Sequence, residues 1–328
     1  MAAAFRAADR WYAPYALFHR RRRARFVRAT RRLGREWLYL EPGFILKPFA
    51  GPSVPIVHDL SFLHDPSWHP AARVRYLEHH LPITLERASH IITPSETVRK
   101  DLVARFQLAP HRISAIHLGH AAPARKPTEA DFAAVLGPLG LERGRFLLSV
   151  ATAEPRKNLL RLLQAYEALP PGIRAKFPLV LVGARGWKSN DFERLRERLA
   201  RRGEIRHPGF VDTGTLDLLY RAATLFVFPS LHEGFGLPVL EAMARGTPVL
   251  TSRGTAMEEF ARESVAYCEP RSVDDIRSGI ELLLESVETR SVLSEQARRQ
   301  AAPLTWNRCA EAYLDCFERL LEGVSGGR

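Results

Sequence analysis

A chain of 328 residues, 46% hydrophobic and 26% charged, is long enough for two domains and ordinary in composition for a soluble globular enzyme. Its three cysteines, Cys268, Cys309 and Cys316, form no CxxC pair, no secretory signal is read, and no apolar run approaches the roughly 20 residues of a membrane span, so a cytoplasmic protein is expected. The formal net charge of +12 is unevenly placed: residues 1–36 hold eleven arginines against Asp9 and Glu36, and the rest of the chain is only mildly basic.

Residues 1–36 read as a basic helical segment, with the helix itself over Phe18–Arg35 and too few apolar residues for a well-buried face. A solvated basic helix is the first reading. The second is a surface helix for an anionic membrane at the inner face, since each clustered arginine near such a bilayer adds about 1 kcal/mol of attraction. Nucleic acid ranks a distant third and is not expected as a partner, because no interleaved aromatic pattern or binding module accompanies the charge.

From Trp37 the texture changes to short apolar runs between turn residues. Pro52–Leu60 reads as a buried strand ending at His58 and Asp59, followed by a helix over Ala71–Ser89, a strand at His90–Thr93, a helix over Glu96–Phe106 capped by Ser95, and a strand at Arg112–Leu118. This is alternating β and α, the pattern of a parallel sheet, in which polar residues at the carboxyl ends of strands are candidates for chemistry. Residues 37–140 are therefore assigned to a first doubly wound domain. A Pro-, Ala- and Gly-rich stretch at Ala121–Gly144 marks the boundary.

Residues 141–300 restart the pattern as a second doubly wound domain. Strands are expected at Phe146–Ala151, Leu179–Gly183, Ile205–Phe210, Leu225–Phe228, Pro248–Thr251 and Val265–Cys268, with helices between them at Leu159–Leu169, Asp191–Arg201, Thr215–Ala223, Pro238–Arg245 and Asp274–Glu285. Residues 301–328 add a terminal helix. Two such domains facing across a cleft is the architecture inferred.

The stretch Phe228–Ser252, FPSLHEGFGLPVLEAMARGTPVLTS, carries the chemistry. A strand ends at Phe228, a loop bears Gly234 and Gly236, and a helix opens at Pro238, where proline is favoured because its missing N–H would be unpaired anyway. Free amides and the positive end of a helix then converge on one spot, which attracts anions and phosphate above all. Glu233 and Glu241 flank it as hydroxyl acceptors. Phosphate plus hydroxyls suggests a sugar nucleotide. Taken alone, a glycine-bearing turn before a helix is weak evidence, and both glutamates could be solvated surface carboxylates.

The segment His232–Leu250 resembles the signature of family-4 retaining glycosyltransferases of the GT-B fold, with seven residues between its two glutamates, Glu233 and Glu241. The resemblance extends through Ala151–Tyr166, Leu181–Trp187, Gly209–Val211 and Leu219–Ser230, and in the first half through Val57–Pro70 and Ile92–Leu102. It implies a nucleotide-sugar donor held by the second domain. Arg156 and Lys157 match the basic pair that holds the donor diphosphate; positive charge is disfavoured at a helix start, and a bound anion accounts for it. Glu233 would bind hydroxyls of the transferred sugar beside the amides of Gly234, Phe235, Gly236 and Leu237, Glu241 would take the ribose hydroxyls, and the backbone at Phe210 and Val211 would read the base. His58 matches a histidine near the donor sugar on the acceptor side of the cleft.

The same resemblance implies front-face transfer with retention, in which the leaving phosphate oxygen takes the acceptor proton and the enzyme supplies positioning and electrostatics. This differs from the two carboxylates about 5 Å apart of retaining glycosidases. No Asp-x-Asp motif occurs and the histidines show no metal-ligand spacing, so neither a divalent metal nor a cofactor is expected. The wording of Val57–Pro70 most resembles bacterial mannosyltransferase-like members, which suggests GDP-mannose as donor and a glycan or lipid-linked acceptor. Rival readings are a sugar-nucleotide 2-epimerase and a non-catalytic membrane-associated relative. Family members carry further strands and a glycine-rich loop ahead of the strand that ends in His58, whereas 51 residues precede Pro52. The expectation is a start upstream of Met1, or a short form with part of the acceptor wall missing.

Overall fold

A computed structural model of the protein describes residues 12–34, 36–121, 126–187 and 190–325. The opening residues of the predicted basic segment, Arg35, and part of the Pro-rich boundary lie outside the described residues. The chain divides into two compact units, residues 1–118 with 306–328, and residues 119–305.

The first unit opens with helix α1 (Tyr12–Thr30), starting earlier and ending earlier than its arginine run suggests. Tyr15, His19 and Phe26 recur at spacings of four and seven, which puts them on one helical face. Tyr15 meets Tyr76 edge-on at 5.3 Å, and Phe26 lies 4.6 Å from the ring of Tyr39. The packing stripe of α1 is aromatic, and the sparse aliphatic content hid it.

Strands β1 (Tyr39–Glu41) and β2 (Ser53–Pro55) pair in parallel. Helix α2 (Ser61–His64) and helix α3 (Ala71–Arg87) lead to β3 (Ile91–Thr93), then α4 (Glu96–Phe106) and β4 (Ile113–Ala115), with β3 and β4 again parallel. A bridge between Ile56 and Ile92 links the two pairs. Alternation along the strands splits the apolar residues as a two-residue period requires. Val57 and Ile91 join Leu77, Leu81 and Leu85 of α3 and Leu102 of α4 in one cluster. Val54, Ile56 and Ile92 join Cys309, Cys316 and Phe317 of the closing helix, Trp306–Ser325, in another.

The second unit begins with α5 (Glu129–Leu136) and continues as β5 (Leu147–Val150), α6 (Leu159–Glu167), α7 (Pro171–Lys176), β6 (Leu179–Val182), α8 (Asn190–Arg201), β7 (Ile205–Gly209), α9 (Thr213–Ala222), β8 (Leu225–Phe228), α10 (Leu237–Ala244), β9 (Val249–Ser252), α11 (Met257–Ala261), β10 (Ala266–Cys268), α12 (Val273–Glu285) and α13 (Val287–Ala301). Helix α5 packs against α9, so the division falls at 118/119 and residues 119–140 travel with the second unit. The six strands form one parallel sheet in the order β10-β9-β8-β5-β6-β7. The runs LLSV, LVLV, LFVF and VLTS are buried almost throughout, as strands covered on both faces must be.

Strand order runs outward in one direction through β5, β6 and β7 and in the other through β8, β9 and β10. The reversal lies between β5 and β8. At such a switch point the loops leaving adjacent strands diverge to opposite faces and open a crevice at their carboxyl ends. The sheet's core is held by Leu162, Leu163 and Tyr166 of α6 with Leu195 and Leu199 of α8 and Ile276 and Ile280 of α12.

Leu162 is fully buried in this cluster while Leu282 on α12 is 64% exposed. Leu162→Ala should cost about 2–5 kcal/mol, and Leu282→Ala less than about 0.5 kcal/mol. Paired urea unfolding curves measure both; equal midpoints for the two variants would contradict this packing.

Candidate functional site

The loops that leave β5 and β8 bring the site together. After β5 the chain runs through a 3-10 turn at Pro155–Lys157 to Asn158, which takes left-handed φ of 60° at the start of α6. Asn158 is buried, and its Nδ2 donates to the carbonyls of Pro229 (2.8 Å) and Pro270 (2.6 Å). One side chain thus ties the loop after β5 to those after β8 and β10. The sequence reading passed over Asn158. Its signal was an asparagine, tolerant of positive φ, set between a Pro-Arg-Lys turn and an apolar helical run.

Glu233 stands in the loop after β8 and is only 5% exposed. Its Oε2 accepts from Arg156 Nη1 at 2.9 Å, and its Oε1 accepts from Lys157 Nζ at 2.6 Å and from Ser230 Oγ at 2.7 Å. Arg156 also donates to the carbonyl of His232 at 2.8 Å and pairs with Glu154 at 3.0 Å. Burial acts to raise the Glu233 pKa, but Arg156 and Lys157 beside it, with the hydrogen bonds of Lys157 and Ser230, bring it down to about 2. Two cations and two carboxylates therefore balance within one cluster.

This changes the account of the basic pair. A bound anion was expected to explain two cations beside a helix start, yet Glu233 and Glu154 already compensate them. The carboxylate read as a hydroxyl acceptor for the sugar is engaged at both oxygens. Lys157 keeps further donors on an ammonium 5.2 Å from the Phe228 ring.

Beside this cluster Gly236 caps α10 with φ of 98°, and no side chain caps the helix in its place. A Cβ at Gly236 would lie 2.4 Å from Met257 Cγ, so glycine is required both for conformation and for space. Gly234 and Phe235 are buried, and Leu237 and Pro238 form the first turn. Pro238 has no N–H, the amides of Val239 and Leu240 donate to the Gly236 carbonyl at 2.9 and 3.3 Å, and the helix dipole adds positive potential at this end.

One turn further on, Glu241 accepts from the fully buried Tyr220 hydroxyl at 3.0 Å. Burial raises the Glu241 pKa, opposed by Tyr220, Arg245 and His120. Arg245 in turn pairs with Asp217 at 2.8 Å. Tyr220, Arg245 and Asp217 were not singled out by sequence; they meet Glu241 only because α9 and α10 pack together.

Phe210 and Val211 follow β7, at the sheet's edge, and the Phe210 side chain is 86% exposed. On the loop after β6, Gly186 packs against the loop after β5, where a Cβ would collide with the Ala153 carbonyl oxygen. His58 belongs to the first unit, where its Nε2 lies 2.9 Å from the Pro42 carbonyl oxygen and its ring meets Phe44 at 5.9 Å. The turn after it is held by Ser61, whose hydroxyl bonds Asp59 and lies 2.9 Å from Nε2 of the buried His69.

Residues 138–300 match the family model described as glycosyl transferases group 1. The chain is 35% identical over 306 residues to the O-antigen chain mannosyltransferase B of Escherichia coli, covering 93% of this chain and 79% of that one. Among solved structures, sucrose-phosphate synthase from Thermosynechococcus elongatus superposes with a TM-score of 0.69 at 22% identity, covering 84% of this chain and 69% of that one. HepE of Anabaena, in complex with UDP and glucose, superposes with a TM-score of 0.67 at 18% identity, covering 82% and 72%. These likenesses identify the fold as GT-B. With that fold, and with a relative 35% identical over 93% of this chain, the chain belongs to the group 1 glycosyl transferases.

Proposed function

We propose that this protein transfers mannose from a nucleotide-diphosphate donor, GDP-mannose, to a glycan or lipid-linked acceptor in cell-surface polysaccharide synthesis, with retention of configuration and without a divalent metal. The observation that carries the donor site is the convergence at the β5/β8 switch point of Arg156 and Lys157 with the Glu233 loop and the uncapped start of α10. The mannose and the polysaccharide rest on the similarity to the E. coli O-antigen enzyme.

In this reading the diphosphate lies against Lys157, Arg156 and the amides of Gly234–Leu237, which stabilise the charge that builds on the leaving group without reorganising. Glu233 keeps both cations extended into the site and lends an oxygen to a sugar hydroxyl as the diphosphate draws them away. Glu241, held by Tyr220, accepts from the ribose hydroxyls. The loop at Phe210 and Val211 offers backbone groups and an exposed ring to the base. His58 serves the acceptor side. The acceptor hydroxyl attacks the anomeric carbon on the face the diphosphate leaves, and its proton passes to the departing phosphate oxygen.

Two tests follow from the cluster. Lys157→Ala should lower mannosyl transfer by about 10²–10³-fold with circular dichroism unchanged. Transfer by the wild type should persist in EDTA and give the α-product from an α-linked donor. Wild-type turnover in Lys157→Ala would remove the donor assignment, loss of transfer in EDTA would remove metal independence, and a β-product would remove retention.

The second test is pH. Because the folded pKa of Glu233 is depressed from 4.5 to about 2, its contribution to stability is complete above the unfolded value and is lost as pH falls through that window. Glu233→Gln should therefore be less stable than wild type at neutral pH, and the gap should close between pH 4.5 and 2. A constant gap across that range, in urea midpoints, would contradict the ion pairs.

A further inference from the structure

A cavity of about 660 Å³ opens within the first unit, between α1, the loop after β1 and helix α3. Its wall carries Arg22 and Arg23 from α1, Lys47 from the loop, and Arg73 and Arg87 from α3. One carboxylate, Glu41, faces these five cations, and it is already bound to Lys47 and to the Tyr39 hydroxyl. Among the described residues, Arg22, Arg23, Arg73 and Arg87 make no ion pair.

Rings form the floor. Tyr15 and His19 lie 4.6 Å apart, His19 and Tyr76 4.2 Å, and Tyr76 and His80 4.4 Å. Burial, then Arg22, His80 and Lys47, pushes His19 down to about 4, and burial with His79 and Arg23 lowers His80. Both imidazoles are therefore neutral at pH 7 and add no charge of their own. The rim is apolar in places: Ile83 lines the cavity and is 43% exposed, and Phe18 on α1, outside the lining, has its ring 5.5 Å from that of His19.

Guanidinium groups gathered around a concavity whose one carboxylate is already paired repel one another until an anion joins them, and their planar forks match phosphate oxygens in pairs. The surplus of four positive charges exceeds what one ligand carboxylate would balance and suits a phosphate dianion or a diphosphate. We propose that this cavity binds the phosphate or diphosphate group of a phosphoester ligand. None of its residues takes part in the donor site, so the inference stands whether or not the transfer reaction above is correct. The group could come from a soluble phosphoester or from a lipid headgroup, and the ring floor and apolar rim are compatible with both.

The full chain is titrated calorimetrically with inorganic pyrophosphate, and separately sedimented with vesicles of phosphatidylcholine with and without phosphatidic acid, whose phosphomonoester headgroup can reach the dianion. The proteins compared are wild type, Arg22→Gln/Arg73→Gln in the cavity, and Arg25→Gln/Arg28→Gln on α1 outside the lining. Pyrophosphate bound at the donor site is common to all three, so the readout is the class of sites lost in the cavity variant. Loss of that class, with affinity about tenfold or more weaker, while the control keeps it, assigns a soluble phosphoester. The same pattern with phosphatidic acid vesicles alone assigns a lipid headgroup. Should the cavity variant fail to fold by circular dichroism, Arg23→Gln/Arg87→Gln, both exposed, replaces it. The proposal is overturned if neither probe separates the cavity variant from wild type, or if the control variant loses as much as the cavity variant does.

Discussion

The contact on which the second unit's site depends is the buried carboxylate of Glu233 held between Arg156, Lys157 and Ser230. It joins two loops that leave neighbouring strands on opposite sides of the switch point. Removing one partner of such a buried pair costs about 3–5 kcal/mol, because the other charge is left without compensation. Removing all of it would cost less, so stability alone does not account for four charges in one cluster. What the cluster adds is position: each cation is extended and aimed before any ligand arrives, and the loop carrying Gly234 and Gly236 is fixed relative to β5.

Preorganisation of this kind explains the neighbouring features. Asn158 accepts a left-handed backbone in order to tie three loops together, and Gly236 accepts one so that α10 can begin against Met257. Tyr220 is buried to its hydroxyl and meets Glu241 there. None of these arrangements is what a sheet needs to form. Each becomes intelligible if the crevice must hold donors and acceptors still while charge moves onto a leaving group.

Most strands of the second unit were legible because they are short, buried apolar runs; five of the six lie within the expected spans, and β9 runs one residue past its span, to Ser252. The Glu233 loop was legible for the same reason, since Phe228, Gly236 and Pro238 mark the end of a strand and the start of a helix. What escaped was long-range pairing. Tyr220 and Glu241 are 21 residues apart, and Arg156 and Glu233 are 77 apart, so no local pattern tells that they touch. The cations of Arg156 and Lys157 were noticed, but their partners were sought in a ligand because Glu233, the carboxylate they share, is remote in sequence, even though Glu154 lies two residues from Arg156. The short helices α7 and α11, and α13 with its mostly polar surface, left too weak a period to read. In α1 the arginine run drew attention away from the aromatic stripe beneath it.

The charge asymmetry seen in composition takes a structural form. In the second unit most described arginines have acidic partners: Arg174 with Glu204, Arg196 with Glu193, Arg198 and Arg202 with Glu167, and Arg221 and Arg245 with Asp217. In α1 the run Arg20–Arg23, with Arg25 and Arg28, has no such partner among the described residues. A uniformly basic protein would spread its surplus over both units. Self-repulsion concentrated on one helix lowers stability for no structural return, because the helix packs through Tyr15, His19 and Phe26 and would do so with neutral residues between them. The excess is what the proposed phosphoester site would draw on, since the only described carboxylate in the cavity beside α1 is already committed to Lys47.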